Sequence, residues 1–289
     1  MSAYTSSAAL PGTGSPAWPL AYTVSSDDCR TPTPLGFAAP LAEAAGHLAE
    51  LGYDAVEVQV REVDARDAER LGAAVGRTGL RIVALGTGPV AAQDGLTLTD
   101  PAPDVRRHAL DRLLAAARLA AVLKVPLTLG QARGTFLPGL EDLQRHWTEE
   151  AVRQLAVEAA ALGTRLLIEP QTRANTSLWH TPDEALVFTA TVEAPTALVL
   201  DTHHLEAEGL DSATAVAAHA KATACLQLAS ATGRGPLTVG DHRLPALLRA
   251  LHDGDFTGWL TLEHAQEGDS VRAAGRSWTA VHDAAAALT

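Results

Sequence analysis

Aromatic residues make up only 4% of the 289 residues, so the core cannot be built around large rings and must be packed from the abundant Ala, Leu and Val. Cysteine is scarce as well. Cys29 and Cys225 are the only two, and Cys225 stands in the apolar run Ala224-Cys225-Leu226, where a buried free thiol is the ordinary occupant. Both fit a reducing cytoplasm. Positive charge is short: 22 Lys and Arg face 34 Asp and Glu, the formal net charge is -12, and no basic cluster stands out, so a nucleic-acid backbone would be repelled. Charged residues in total are 19% of the chain against 47% hydrophobic, too little charge for a disordered protein and enough apolar surface for a large core. The first residues, 1–19, are rich in Ser, Ala, Gly, Thr and Pro and lack a basic start followed by an apolar stretch. They read as a flexible tail, neither signal peptide nor membrane span. A dinucleotide-binding glycine fingerprint is missing after the first apolar run, where Val24-Ser25-Ser26-Asp27-Asp28 stands instead, and no Walker-type loop occurs.

What is present is alternation. Short β-type runs recur at Leu20–Val24, Ala55–Val60, Arg81–Leu85, Pro126–Leu129, Arg165–Glu169, Ala197–Asp201, Ala224–Ala229 and Trp259–Glu263. Between and after them lie stretches of helical period: Pro40–Leu51, Arg66–Thr78, Val105–Leu123, Glu149–Leu162, Pro182–Thr191, Arg243–Leu251 and Ser270–Ala287. Eight strands, each with a helix or room for one, are the count for barrel closure, which predicts a single (β/α)₈ TIM barrel over residues 20–289. Gly52, Gly79 and Gly163 are placed to cap helices before strands, and Thr181-Pro182-Asp183-Glu184 reads as an N-cap, a first-turn proline and two acids favoured by the helix dipole. The loops after the third and fourth strands are the long ones, and in a barrel they shape the mouth at its C-terminal face.

Polar residues on otherwise apolar strands carry the chemistry. Leu166-Leu167-Ile168 ends in Glu169, Leu198-Val199-Leu200 in Asp201 and Leu260-Thr261-Leu262 in Glu263, while Cys225-Leu226-Gln227-Leu228 places an amide among apolar neighbours. One acid after a strand is most often a helix cap or a solvated turn residue, and one buried Gln a satisfied core amide. Four such coincidences on successive strands, whose ends converge in a closed barrel, point instead to a shared cation, because three crowded carboxylates do not all stay ionised without one. Glu169, Asp201, Gln227 and Glu263 are therefore the expected metal ligands. Their all-oxygen set favours Mn²⁺ or Mg²⁺ over zinc. On the loop after the fifth strand, Trp179 and His180 are placed either to line the mouth or to cover the core.

These segments resemble the xylose-isomerase-like barrels, the sugar phosphate isomerases/epimerases, from about Leu51 to the C-terminus. The marks are Leu51-Gly52-Tyr53-Asp54-Ala55-Val56-Glu57, Leu167-Ile168-Glu169-Pro170-Gln171-Thr172-Arg173, Leu200-Asp201-Thr202-His203-His204 and Gly258-Trp259-Leu260-Thr261-Leu262-Glu263. The resemblance implies Glu169 and Glu263 as the acid/base pair, with His204 a substrate contact and His203 facing away. Arg234, Arg173 and Glu57 follow as outer substrate-binding candidates. Most of the family has histidine where Gln227 stands. The stretch Leu226-Gln227-Leu228-Ala229-Ser230-Ala231-Thr232-Gly233-Arg234 looks instead like the glutamine-bearing branch that includes hydroxypyruvate isomerase, except that Ser230 stands where an aspartate is usual.

The expected activity is isomerisation or epimerisation of a sugar or related hydroxy-carbonyl compound through an enediolate, one glutamate removing a proton and the other returning it. The alternatives are a metal-dependent lyase or dehydratase acting on a keto-sugar, cyclitol or keto-glycoside, a phosphodiester-cleaving enzyme, which the negative charge opposes, and a non-catalytic sugar-binding barrel or subunit. No glycine-rich phosphate cradle follows the seventh or eighth strand, which favours an unphosphorylated substrate. A small carbohydrate is the expected partner, with neither nucleic acid nor membrane, and a homo-oligomer is compatible with the chain.

Overall fold

In the computed structural model, which describes residues 18–288, eight parallel strands close on themselves in chain order. They are β1 (Leu20–Ser25), β2 (Ala55–Gln59), β3 (Arg81–Gly86), β4 (Leu127–Leu129), β5 (Leu166–Ile168), β6 (Thr196–Asp201), β7 (Thr223–Leu228) and β8 (Trp259–Leu262). The ring shuts where β1 pairs with β8, Leu20 opposite Leu260 and Tyr22 opposite Leu262. The expected (β/α)₈ barrel forms, and every expected strand is in it. Pro126 stands outside the fourth strand because it has no N–H to give, although its carbonyl accepts from Leu85 N at 3.0 Å. Of the tail expected over residues 1–19, residues 1–17 lie outside the described residues. Trp18 is buried, with its indole N–H donated to Phe256 O at 2.9 Å.

Ten helices of the described residues surround the barrel: α1 (Leu41–Glu50), α2 (Ala68–Gly76), α3 (Gly88–Asp94), α4 (Pro103–Leu123), α5 (Glu141–Ala161), α6 (Pro182–Thr189), α7 (Thr202–Ala207), α8 (Ser212–His219), α9 (Leu244–Asp253) and α10 (Ser270–Ala286). The expected caps form: Gly52, Gly79 and Gly163 have φ of 91°, 86° and 82°, and Thr181 Oγ1 accepts from Glu184 N at 3.2 Å. Three helices, α3, α7 and α8, were not expected from the apolar period. They are short and bury few residues each, so the pattern is too brief to register. Helix α5 starts at Glu141 and not at Glu149 for a different reason. Its inner face there is polar: Gln144 is buried, accepts from Leu137 N and donates to Thr99 O, each at 2.6 Å, and Thr148 beneath it is buried too.

Strand alternation sets the interior. Leu167, Val199, Ala224 and Cys225 form a small apolar cluster apart from the main core, which fills the layer between sheet and helices. Residues two apart on a strand share a face. Glu169, Asp201 and Gln227 thus stand directly beyond Leu167, Val199 and Cys225, and the apolar cluster is the floor on which they rest. Among the described residues no helix is long and apolar enough to cross a membrane.

Candidate active site at the C-terminal mouth of the barrel

Asp201 is the last residue of β6, and Glu169 and Glu263 each follow the last residue of their strands, so three carboxylates leave neighbouring parts of one rim. All three are buried. His204, one turn into α7, brings its Nε2 to 3.5 Å from Glu169 Oε1 and 3.8 Å from Asp201 Oδ2. Glu169, Asp201 and His204 offer ligand atoms that all lie within 4.8 Å of one another. Asp201 does two jobs. Its Oδ1 caps α7 by accepting from His203 N at 2.8 Å, and Oδ2 faces the cluster.

Arg234 shows where these charges converge. It sits in the turn after β7 with φ of 52°, and its backbone oxygen accepts from Ala265 N at 2.8 Å, which ties that turn to the segment after β8. One guanidinium nitrogen, Nη2, donates both to Asp201 Oδ2 and, at 2.6 Å, to Glu263 Oε2. A positively charged group is thus already seated between two of the expected metal ligands. The Ser230 hydroxyl, which carries no charge, accepts from Thr232 N at 3.3 Å.

Gln227 lies inside the barrel on β7. Its Nε2 donates to Glu57 Oε1 at 3.2 Å and Oε2 at 3.3 Å, while its Oε1 is buried without a hydrogen-bond partner. An orphaned carbonyl oxygen costs free energy unless something positive meets it. Two carboxylates and a neutral imidazole within one small volume, with Glu263 tied to Asp201 through Arg234 and an unclaimed amide oxygen on Gln227, fit a divalent cation.

The remaining candidates separate. Glu57, grouped with the outer residues by sequence, is wholly buried on β2 and also receives Gln59 Nε2 at 3.5 Å. Trp179 is buried, with φ of 56° and its ring stacked on Phe188 at 4.2 Å between centroids, so most of its surface covers the core. His180 Nδ1 is 3.0 Å from Gln171 O. Arg173 is not brought to the cluster: its side chain is 63% exposed and pairs with Glu208. Two residues that the sequence reading passed over join the site. Gln171 Nε2 donates to Glu169 Oε2 at 2.9 Å. Arg133, in the 3₁₀ turn Gln131–Arg133 after β4, is fully buried, donates through Nη2 to Glu169 O at 2.7 Å and through Nε to Gly130 O at 3.1 Å, and lies over Trp179. Gln171 was visible as the second residue after Glu169, but a loop arginine looks the same in sequence whether solvated or buried.

Burial and mutual repulsion dominate the titration of the cluster. Burial, with the charge of Asp201, pushes Glu169 up to about 7 against the help of Gln171. Burial pushes Glu263 up to about 8 despite Arg234, and burial together with Glu263 lifts Glu57 to about 8. His204 is held down to about 4 by burial, so its imidazole is neutral. Carboxyl groups with such values exchange protons near neutral pH.

The family model for the xylose isomerase-like TIM barrel matches residues 46–282. The chain belongs to that family. No curated protein matches it by sequence. Among solved structures, this xylose isomerase-like barrel resembles D-allulose 3-epimerase from Methylomonas sp. with 21% identity and a TM-score of 0.72, over 94% of this chain and 99% of that one. It resembles 3-keto-D-glucoside 4-epimerase from E. coli with 17% identity and a TM-score of 0.71, over 92% and 99%. An AP endonuclease, family 2, from Brucella melitensis is as similar, at 20% identity and a TM-score of 0.71 over 91% and 98%. At these identities the likeness is one of fold, and within this family the side chains of the mouth must argue the chemistry.

Proposed function

We propose that this chain is a divalent-cation-dependent epimerase or isomerase of a small, unphosphorylated, polyhydroxylated carbonyl compound, of the glutamine-bearing branch that includes hydroxypyruvate isomerase. The observation that carries the reading is the meeting of Glu169, Asp201 and His204 at the rim, with Arg234 bridging Asp201 to Glu263 and an unclaimed amide oxygen on Gln227, the register partner of Asp201 on the next strand. Two of the structural neighbours are named as sugar epimerases, which agrees with it.

Glu169, Asp201, Gln227 and Glu263 would hold Mn²⁺ or Mg²⁺, with His204 adjoining, and such a cation supplies Lewis acidity that makes a C–H beside a carbonyl more acidic. The protein's own groups do the rest. One glutamate carboxylate takes the proton from the carbon next to the carbonyl, the C–H electron pair moves into the new C=C bond, and the carbonyl π pair moves onto its oxygen. The other glutamate, protonated, returns a proton to the opposite face of the same carbon, and the product is the epimer. Return to the former carbonyl carbon, with the hydroxyl proton passed across, gives the aldose/ketose isomer. Arg234 and His204 are placed to bind and orient substrate oxygens, and the apolar floor of Leu167, Val199 and Cys225 keeps bulk water from the barrel interior.

The test is a screen of ketoses, aldoses and keto-glycosides with Mn²⁺ in D₂O, read by chiral separation and mass. The expected product is a stereoisomer or positional isomer carrying solvent deuterium at the reacting carbon. A product lighter by water or by an aglycone overturns the reading in favour of a lyase. Tight Mn²⁺ binding with no turnover on any of these compounds favours a sugar-binding barrel.

A further inference from the structure

Gln227 differs from a histidine at the same place in one physical respect: an amide has two ends of nearly the same shape, and only the oxygen end can meet a cation. Rotating the group by half a turn would present an NH₂ to the cation and a carbonyl to whatever lies behind. What lies behind is Glu57, fully buried, with both carboxylate oxygens within 3.3 Å of Gln227 Nε2. Both of its oxygens accept from that one nitrogen, so the face that Glu57 turns to Gln227 meets the NH₂ end and offers the carbonyl end no donor. We infer that Glu57 is a positioning residue that locks the amide of Gln227 with its oxygen toward the cation, so that a glutamine can serve as a ligand in this barrel. The inference rests on the cation reading proposed above and deepens it. Gln59, donating to Glu57 Oε1 at 3.5 Å, holds the carboxylate in turn. With the NH₂ end held on Glu57, the oxygen end of Gln227 is buried and left without a hydrogen-bond partner.

A Glu57→Gln side chain both donates and accepts, and so tolerates either orientation of its neighbour. The experiment is Mn²⁺ titration of the full chain, followed by electron paramagnetic resonance, for four proteins: wild type, Glu57→Gln, Gln227→His and the double variant. An imidazole has no carbonyl to misplace, and the N–H on its non-ligating nitrogen is satisfied by an amide oxygen. The expected result is about 10- to 100-fold weaker Mn²⁺ binding in Glu57→Gln, the usual scale for losing a group that orients a ligand, and less than about threefold further loss when the same change is made in the Gln227→His background. Unchanged affinity in Glu57→Gln overturns the inference. So does an equal loss in both backgrounds, which would make Glu57 a source of bulk negative charge. Folded wild type that binds no Mn²⁺ overturns the cation reading itself, a result distinct from either. Where Glu57→Gln does not fold, the Mn²⁺-loaded wild-type crystal structure decides, and a Gln227 nitrogen turned toward the ion overturns the proposal.

Discussion

Two arcs of the barrel rim end in opposite ways. β5, β6 and β8 run out into Glu169, Asp201 and Glu263, whereas β3 ends on Gly86 and β4 runs into Gly130. A methyl group on Gly130 would stand 2.5 Å from Glu169 Oε2 and 2.6 Å from Gln171 Nε2, and one on Gly86 would collide with the Gln59 side chain. One arc supplies charge, and in the other Gly130 leaves room for the Glu169 carboxylate and Gly86 for the Gln59 amide. At Glu169 the strand-end rule for barrels is therefore met by a pair of positions: the acid on β5 has its space because β4 runs into a residue with no side chain.

The largest effect comes from breaking the charged arc. Glu169→Gln and Glu263→Gln are each expected to lower turnover by about a thousandfold or more while leaving the circular dichroism spectrum intact, and a rate within tenfold of wild type removes that residue from the proton path. Filling the open arc tests the other half of the comparison. Gly130→Ala should displace the Glu169 carboxylate and cost about 100-fold in kcat, with the fold retained; unchanged kcat would show that the acid needs no such space.

A smaller effect appears as pH. Glu57, Glu169 and Glu263 titrate at about 8, 7 and 8 when folded, above the ordinary 4.5, so the folded state without a cation binds more protons than the unfolded one. Stability linked to these groups is fully present below about 4.5 and is lost as pH rises to about 8. Thermal melts of chelator-treated protein should fall across that window, and added Mn²⁺ should raise Tm more at pH 8 than at pH 5.5. A flat cation-free profile would mean that Arg234 alone compensates the cluster. The smallest effect belongs to a residue that the fold leaves outside both arcs. Arg173→Ala should change stability by about 0.5 kcal/mol or less and kcat/KM by less than twofold, since its guanidinium is largely exposed and Glu208 still accepts from the backbone N–H of residue 173; a tenfold loss in kcat/KM would return it to the substrate site.

The strands were legible because apolar runs between capped helices leave little freedom in an α/β chain. The rim acids were legible because a charge closing an apolar run is anomalous. Less was legible where polar residues do structural work. The start of α5 was hidden by Gln144 and Thr148 on its buried face, and Arg133 was hidden because a guanidinium bonded to two backbone carbonyls has the same letter as one in water. Glu57 was noticed, but its depth was not. The period of β2 says that Glu57 shares a face with Ala55 and Gln59, not which side chain that face meets across the barrel.

The residues alone determined the barrel, the eight strands and the kind of atom each strand end presents, since hydrophobic period and capping are local properties that the chain carries wherever it folds. Which of those atoms meet was decided only by closure of the ring. That closure brings the amide of Gln227 onto a carboxylate 170 residues earlier and seats the Arg234 guanidinium between two acids from different strands. Such contacts depend on register, tilt and the space left by a missing side chain, and these are settled by the whole barrel together.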